Sequence, residues 1–195
     1  MILRGFASEK TEDLLEAIHQ VQQQSPFRRL ITPGGFRMSV AMTNCGTTGW
    51  VSDRKGYRYS SQDSLTDLSW PAMPSLFLSL AASAAETAGY SGFQPDACLI
   101  NRYEPGARLT LHQDRDELDF SAPIVSVSLG LPAVFQFGGN TRQDRPRRFH
   151  LESGDVTVWG GPARLAFHGI LPLKPGDHPL AGSYRFNLTF RKTLP

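Results

Sequence analysis

Apolar residues near the start of the chain recur at helical spacing. Leu14, Leu15, Ile18 and Val21 share one face between Thr11 and Gln24, and Pro26 stops the pattern just after Ser25. An amphipathic helix is predicted there. A second helical pattern has Pro74 in its first turn, where a missing N–H costs nothing, and runs through Leu76, Phe77, Leu80, Ala81, Ala84, Ala85 and Ala88 to Gly89. Its alanines predict close packing on a sheet. Past Gly89 the pattern changes to short β-branched and aromatic runs separated by Gly and Pro, at 97–103, 108–113, 124–131, 133–137, 147–151, 155–159, 164–167 and 183–190. These read as eight strands. Without long intervening helices they are expected to pair antiparallel, which gives a mainly β (α+β) protein: a double-sheet jelly roll, or double-stranded β-helix, with two flanking helices. Between Phe36 and Tyr59, Gly46, Gly49 and Gly56 space short extended pieces, after Gly34 and Gly35, and predict a β-rich lid. No repeat, low-complexity tract or linker divides the chain, so a single domain over 1–195 is expected, with 32–60 as its lid.

Composition narrows the classes. A chain of 195 residues, 40% hydrophobic, suits one core of ordinary size. Its net charge of +2 is too small to make the whole surface a trap for polyanions, so any nucleic-acid affinity must come from local patches. Cys45 and Cys98 lie far apart and form no C-x-x-C pair, which argues against a disulfide framework or a thiolate metal site and for a reducing cytoplasm. Charges scattered through the N-terminal residues, and the lack of any run of ~18 apolar positions, predict neither a signal peptide nor a membrane span.

Candidate chemistry begins at Leu109-Thr110-Leu111-His112-Gln113-Asp114. In a strand, His112 and Asp114 point to the same face. With one distant histidine they make a 2-His-1-carboxylate facial triad, which leaves coordination positions open on iron, although zinc takes the same donors and a lone His-x-Asp also arises by chance. The third ligand has to come from His19, His150, His168 or His178. His19 lies on the first helix, His150 in a strand run and His178 in a Pro-Gly turn. His168 follows Leu165-Ala166-Phe167 at an expected strand end, where a ligand is held firmly, and is preferred. Trp50 and Tyr57 flank a glycine-rich segment beside Arg54, Lys55 and Arg58, as an aromatic surface or as core packing. Asp116 extends the His112–Asp114 face or begins a charged turn with Glu117 and Asp119. Arg142, Arg145, Arg147 and Arg148 form the densest basic cluster, suited to phosphates or to a solvated hairpin.

These residues fall in a longer pattern: Thr-Pro-Gly-Gly-Phe (32–36), Met-Thr-Asn-Cys-Gly (42–46), Asn-Arg-Tyr-x-Pro-Gly-Ala (101–107), Leu-x-Leu-His-Gln-Asp (109–114), Gly-Asp-Val-x-Val-Trp-Gly-Gly (154–161) and Arg-x-Asn-Leu-Thr-Phe-Arg (185–191). In this the chain resembles, through almost its whole length, the bacterial AlkB-type Fe(II)- and 2-oxoglutarate-dependent dioxygenases that repair alkylated DNA. The resemblance implies Fe(II) on His112, Asp114 and His168. It places Arg185 on the distal carboxylate of 2-oxoglutarate with Tyr103 and Asn101 nearby, and Arg191 and Asn187 at the end that chelates iron. Arg185, Asn187 and Arg191 alternate in strand phase, and two guanidinium forks on one face suit a dicarboxylate.

On the substrate side the resemblance implies that Trp50 stacks on a flipped base opposite the metal-binding histidine and that Tyr57 contacts the substrate backbone. Asp116, Glu117, Arg142, Thr32, Met38 and Met42 complete the groove, and Phe36 stands where some relatives carry Tyr. A carboxylate and an aromatic face both favour a base made cationic by methylation, the aromatic by about 0.5–2 kcal/mol. The implied activity is oxidative demethylation of 1-methyladenine- and 3-methylcytosine-type bases with O2, releasing formaldehyde, succinate and CO2. The expected partner is alkylated single-stranded DNA, with double-stranded DNA and RNA beyond it, and the expected state is a cytoplasmic monomer off the membrane. The rival readings are a 2-oxoglutarate-dependent hydroxylase of a protein or small molecule, and a non-catalytic nucleic-acid-binding jelly roll.

Overall fold

Alternation along the central strands decides which side chains meet the helices and which face inward. The computed structural model describes residues 1–194. In chain order these form β1 (Ile2–Leu3), α1 (Thr11–Gln24), β2 (Ala41–Gly46), β3 (Gly49–Asp53), β4 (Gly56–Ser60), α2 (Ser75–Thr87), β5 (Ala97–Tyr103), β6 (Leu109–His112), β7 (Ile124–Gly130), β8 (Ala133–Phe137), β9 (Arg147–Leu151), β10 (Val156–Trp159), β11 (His168–Ile170) and β12 (Arg185–Arg191). A major sheet runs β1-β10-β7-β12-β5-β2, a minor sheet β6-β11-β8-β9, and β3 pairs with β4 as a separate hairpin. Every strand pair is antiparallel. Strands β5 to β12 supply four neighbours to each sheet, which is the jelly roll expected from the eight runs.

On β12, Leu188 and Phe190 join Ile100 and Cys98 of β5 and Val125 and Val127 of β7 in one apolar layer. The two helices cover that layer, with Leu14, Ile18 and Val21 of α1 and Phe77, Leu80, Ala81 and Ala84 of α2 all buried in it. The opposite face of the same strands carries Leu99, Asn101 and Tyr103 on β5 and Arg185, Asn187 and Arg191 on β12, turned toward the minor sheet. Phe135, Leu151 and Ile170 meet it from the minor sheet in a second core. Among the described residues no helix is long and apolar enough to cross a membrane.

Three expectations change, and one strand is added. Residues 164–167 are not a strand: Gly161–Ala163 form a 3-10 turn, Ala166 N–H bonds Ala163 O, Phe167 exchanges backbone bonds with Gly138 and Gly139, and the strand itself begins at His168. The cause is Arg164, whose buried guanidinium donates from Nε to Ala122 O (3.1 Å) and from Nη1 to Asp114 O (2.8 Å). The 32–60 segment is divided, since β2 pairs in register with β5 as the edge of the major sheet and only β3 and β4 stand apart. Pro74 takes the N-cap position of α2, in extended conformation, instead of its first turn. Strand β1 adds an edge to the major sheet and is too short to leave a periodic signal.

Candidate functional site

The register of the minor sheet sets His112 on β6 directly opposite His168 on β11, with ring centroids 4.5 Å apart. Gly169 permits the approach: a Cβ there would lie 2.7 Å from Leu109 O. Asp114 follows as the chain leaves β6, and donor atoms of His112, Asp114 and His168 all lie within 4.8 Å of one another. Each imidazole has Nδ1 against a carbonyl, Thr110 O at 2.8 Å for His112 and Ala166 O at 2.9 Å for His168. A carbonyl only accepts, so Nδ1 carries the proton and Nε2 is left bare. The bare Nε2 atoms face Asp114, at 3.7 Å from Oδ1 and 3.8 Å from Oδ2.

Protonation states follow from the surroundings. Burial alone would raise the Asp114 carboxyl, but Arg191, His168 and His112 outweigh it and hold the group far below the usual carboxylate range. Burial, with His112 next to it, lowers His168 to about 4 against the pull of Asp114. Neutral imidazole and ionised carboxylate are the forms a metal requires, so the donor set fits a divalent ion of the iron type. Arg191 secures it, donating from Nε (2.9 Å) and Nη2 (2.6 Å) to Asp114 Oδ2. Behind Arg191, Glu117 takes Tyr59 OH at 2.6 Å, Arg191 Nε at 3.3 Å and Arg164 Nη2 at 3.2 Å.

A second part of the cavity wall lies on β5 and β12, where register sets Arg185 opposite Tyr103 and Asn187 opposite Asn101. Arg185 is 1% exposed. Its guanidinium lies 4.9 Å from the Tyr103 ring centroid and gives Nη2 to Ser128 Oγ at 3.1 Å, yet Nε and Nη1 find no partner. A buried cation with two unsatisfied donors is costly unless an anion meets it. Asn101 Oδ1 is also unpartnered, while its amide donates to Asn187 Oδ1 at 3.3 Å and Asn187 donates to Ser126 Oγ and Val127 O. Burial pushes the Tyr103 hydroxyl up to about 12 despite Arg185, so it stays protonated. The two orphaned Arg185 donors fit a carboxylate-bearing co-substrate, whereas Asn101 Oδ1, an acceptor, calls for a donor.

One cavity of about 750 Å³ joins both clusters to the surface. At its mouth Trp50 and Tyr57 stack, with centroids 5.5 Å apart and planes 14° from parallel, and Trp50 Nε1 donates to Asp116 Oδ2 at 2.8 Å. Thr32, Met38, Met42 and Arg142 also line it. Glu117 lines the same wall but is buried; its Oε1 accepts from Tyr59 OH and faces Arg191, while Oε2, 3.2 Å from Arg164 Nη2, has no hydrogen-bond partner among the described residues. Arg145, Arg147 and Arg148 do not line the cavity, and Arg147 lies over the Phe149 ring. His19, His150 and His178 are all away from the cluster; His178 Nδ1 accepts from Leu180 and Ala181 N–H in its own turn.

Sequence reasoning missed Arg37, Arg108 and Arg115, which join Arg142 as exposed residues lining the cavity. None of the four has a carboxylate partner among the described residues. Arg37, Arg108 and Arg115 stand outside the basic run that holds Arg142, so no charge run announces them.

Comparisons with known proteins agree with this geometry. The 2OG-Fe(II) oxygenase superfamily matches residues 1–191. The chain is 60% identical over 192 residues to the alpha-ketoglutarate-dependent dioxygenase AlkB of Salmonella typhimurium, covering 98% of this chain and 89% of that protein. It is 35% identical over 130 residues to the nucleic acid dioxygenase ALKBH1 of Mus musculus, covering 67% of this chain and 33% of that one. A solved structure of OsALKBH1 superposes with a TM-score of 0.86 at 29% identity, over 98% of this chain and 95% of that one. The chain therefore belongs to the 2OG-Fe(II) oxygenase superfamily as an AlkB-type dioxygenase, an enzyme that works with Fe(II), 2-oxoglutarate and O2.

Proposed function

We propose that this enzyme oxidatively demethylates N-alkylated bases of the 1-methyladenine and 3-methylcytosine type in DNA. Single strands are its preferred substrate, double-stranded DNA and RNA are further ones, and it acts as a cytoplasmic monomer. The observation that carries this reading is the meeting, in one cavity, of the His112–Asp114–His168 cluster, the Trp50–Tyr57 stack and a rim of unpaired arginines.

His112, Asp114 and His168 hold Fe(II), while Arg185 with Tyr103 grips the distal carboxylate of 2-oxoglutarate and Asn101, Asn187 and Arg191 bound its other end. The iron and co-substrate, with O2, supply oxidation of the alkyl carbon, which yields succinate and CO2 and releases a methyl group as formaldehyde. The protein's own work is placement. His112 keeps 38% of its side chain exposed where His168 keeps 8%, so one ligand ring is open to the cavity that Trp50 also lines. A base entering there lies between two aromatic rings, and stacking returns ~1–3 kcal/mol against the few kcal/mol spent on flipping. Single strands, with no pairing to break, keep that cost lowest. Asp116 uses Oδ2 to hold the Trp50 indole and has Oδ1 left to favour a cationic base. Arg37, Arg108, Arg115 and Arg142 suit phosphates, which weighs against a neutral small molecule or an ordinary peptide.

A methylated single-stranded oligonucleotide incubated with Fe(II) and 2-oxoglutarate is expected to lose the mass of one methylene as succinate appears. Absence of both sinks the proposal. Succinate with an unchanged oligonucleotide moves the assignment to a protein or small-molecule hydroxylase.

A further inference from the structure

We infer that Phe36 is a stacking platform for the base adjoining the lesion in the same strand, an inference that rests on the nucleic-acid reading of the cavity. Phe36 is 77% exposed, the most exposed of the large apolar side chains among the described residues. An aromatic ring left in water on an otherwise well-packed protein calls for a partner.

The ring is held on a built tip. Ile31 pairs with Arg37, Thr32 N–H donates to Phe36 O (2.9 Å), Gly35 N–H to Thr32 O (2.8 Å) and Phe36 N–H to Thr32 Oγ1 (3.1 Å). Gly35 closes the turn at φ +83°, a conformation in which other residues are strained. A Cβ on Gly34 would reach only ordinary contact with the Phe36 ring, at 3.5 Å, so the ring stands beside the turn and stays open to solvent. The tip is also tied to the lid. Ser52 Oγ donates to Ile31 O at 2.7 Å, and Ser52 stands opposite Tyr57 in the β3–β4 register, two residues from Trp50. Phe36 and the Trp50–Tyr57 stack thus belong to one hydrogen-bonded unit and line one cavity.

Charge indicates the occupant. Arg37 follows Phe36 directly, and Arg108 and Arg115 lie on the same rim without carboxylate partners among the described residues. An apolar protein surface would leave these guanidinium groups without counter-ions. A nucleic-acid strand offers a π face for the ring and a phosphate for the cation within one nucleotide. When the lesion leaves the stack its neighbour loses a partner, and Phe36 replaces that partner without regard to base identity.

The test compares two oligonucleotides carrying the same central 1-methyladenine, one flanked by normal bases and one by abasic residues. Phe36→Ala is expected to raise KM for the base-flanked substrate roughly 5- to 100-fold with kcat little changed, and to leave the abasic-flanked KM within about twofold. Phe36→Trp should restore the base-flanked KM, whereas Phe36→Leu, apolar without a π face, should not. Equal loss on both substrates, no loss on either, or full rescue by Leu overturns the inference while wild-type turnover leaves the demethylase reading standing. A wild type that turns over neither substrate overturns both.

Discussion

Arg185 and Arg142 stand on the wall of the same cavity under opposite conditions. Arg185 lies on β12 between two paired neighbours, is 1% exposed and has two donors without partners; Arg142 lies in the connection from β8 to β9, exposed and backed only by the Phe167 ring at 5.9 Å. Strand pairing on both sides holds the first in place, as suits a small rigid dicarboxylate that must meet the metal in one pose. A loop cation can follow a phosphate that shifts with sequence and conformation. The inner end of the cavity is therefore built for one ligand, and the mouth for many versions of one polymer. The metal cluster is where the two meet.

That division predicts graded effects. His168→Ala removes a donor both ends depend on, and Fe(II)-dependent turnover is expected to fall at least about a thousandfold, with Fe(II) binding lost in calorimetry and far-UV circular dichroism unchanged. Arg185→Gln removes the cation from the inner end alone. Truncating one side of a buried charge pair costs about 2–5 kcal/mol, so KM for 2-oxoglutarate should rise roughly 30- to several-thousand-fold while KM for the oligonucleotide holds. A rise in both would show the ends to be one site.

Tyr103 reports the same burial through pH. Its hydroxyl titrates near 12 in the folded state and near 10 when unfolded, so the unfolded chain releases the proton first. Stability from this group is complete below pH 10 and declines as pH rises to 12, by about 3 kcal/mol in all. Denaturant titrations of the wild type and Tyr103→Phe should show the steeper decline in the wild type, and parallel curves would place Tyr103 in a solvated setting.

How far these features could be read in the sequence depended on how local their causes were. The inward face of β12 was legible because Arg185, Asn187 and Arg191 keep a period of two, and strand phase alone decides where they point. His112 and Asp114 were legible for the same reason, although β6 ends at His112 and Asp114 is held by Arg191 and not by pairing. Residues 164–167 misled because Leu165-Ala166-Phe167 looks like a strand, whereas the turn is set by the distant carbonyls that hold Arg164. Glu117 differs from its neighbour by parity: beside Asp116, which holds the Trp50 indole at the mouth, it turns inward to Arg191 and Arg164. Of the arginine rim only Arg142, in its basic run, was legible; Arg37, Arg108 and Arg115 were not, since only folding brings them together.

Asp116 bears on lesion choice at the mouth. Asp116→Asn keeps a hydrogen-bond acceptor for the Trp50 indole but removes the charge facing a cationic base. The ratio of affinities for methylated over unmodified oligonucleotide should fall about tenfold, or about 1.4 kcal/mol, in fluorescence titrations. An unchanged ratio would assign lesion choice to the shape of the aromatic slot.

The smallest effect tests the difference between the two arginines most directly. Each cation that neutralises a phosphate on a single strand releases counter-ions and adds ~0.7 to the slope of log affinity against log salt. Arg142→Gln should lower that slope by about 0.7, so the variant's affinity falls roughly 2- to 3-fold less than the wild type's between 50 and 200 mM salt, whatever the sequence of the strand. Arg37, Arg108 and Arg115 should behave alike, because each is exposed and lacks a carboxylate partner among the described residues. Arg185→Gln should leave the slope untouched: a guanidinium 1% exposed behind the metal cluster meets no phosphate of the strand and contributes nothing to its counter-ion release. If Arg142→Gln moved KM for 2-oxoglutarate and Arg185→Gln moved the salt slope, burial would be the wrong guide to which ligand each arginine serves.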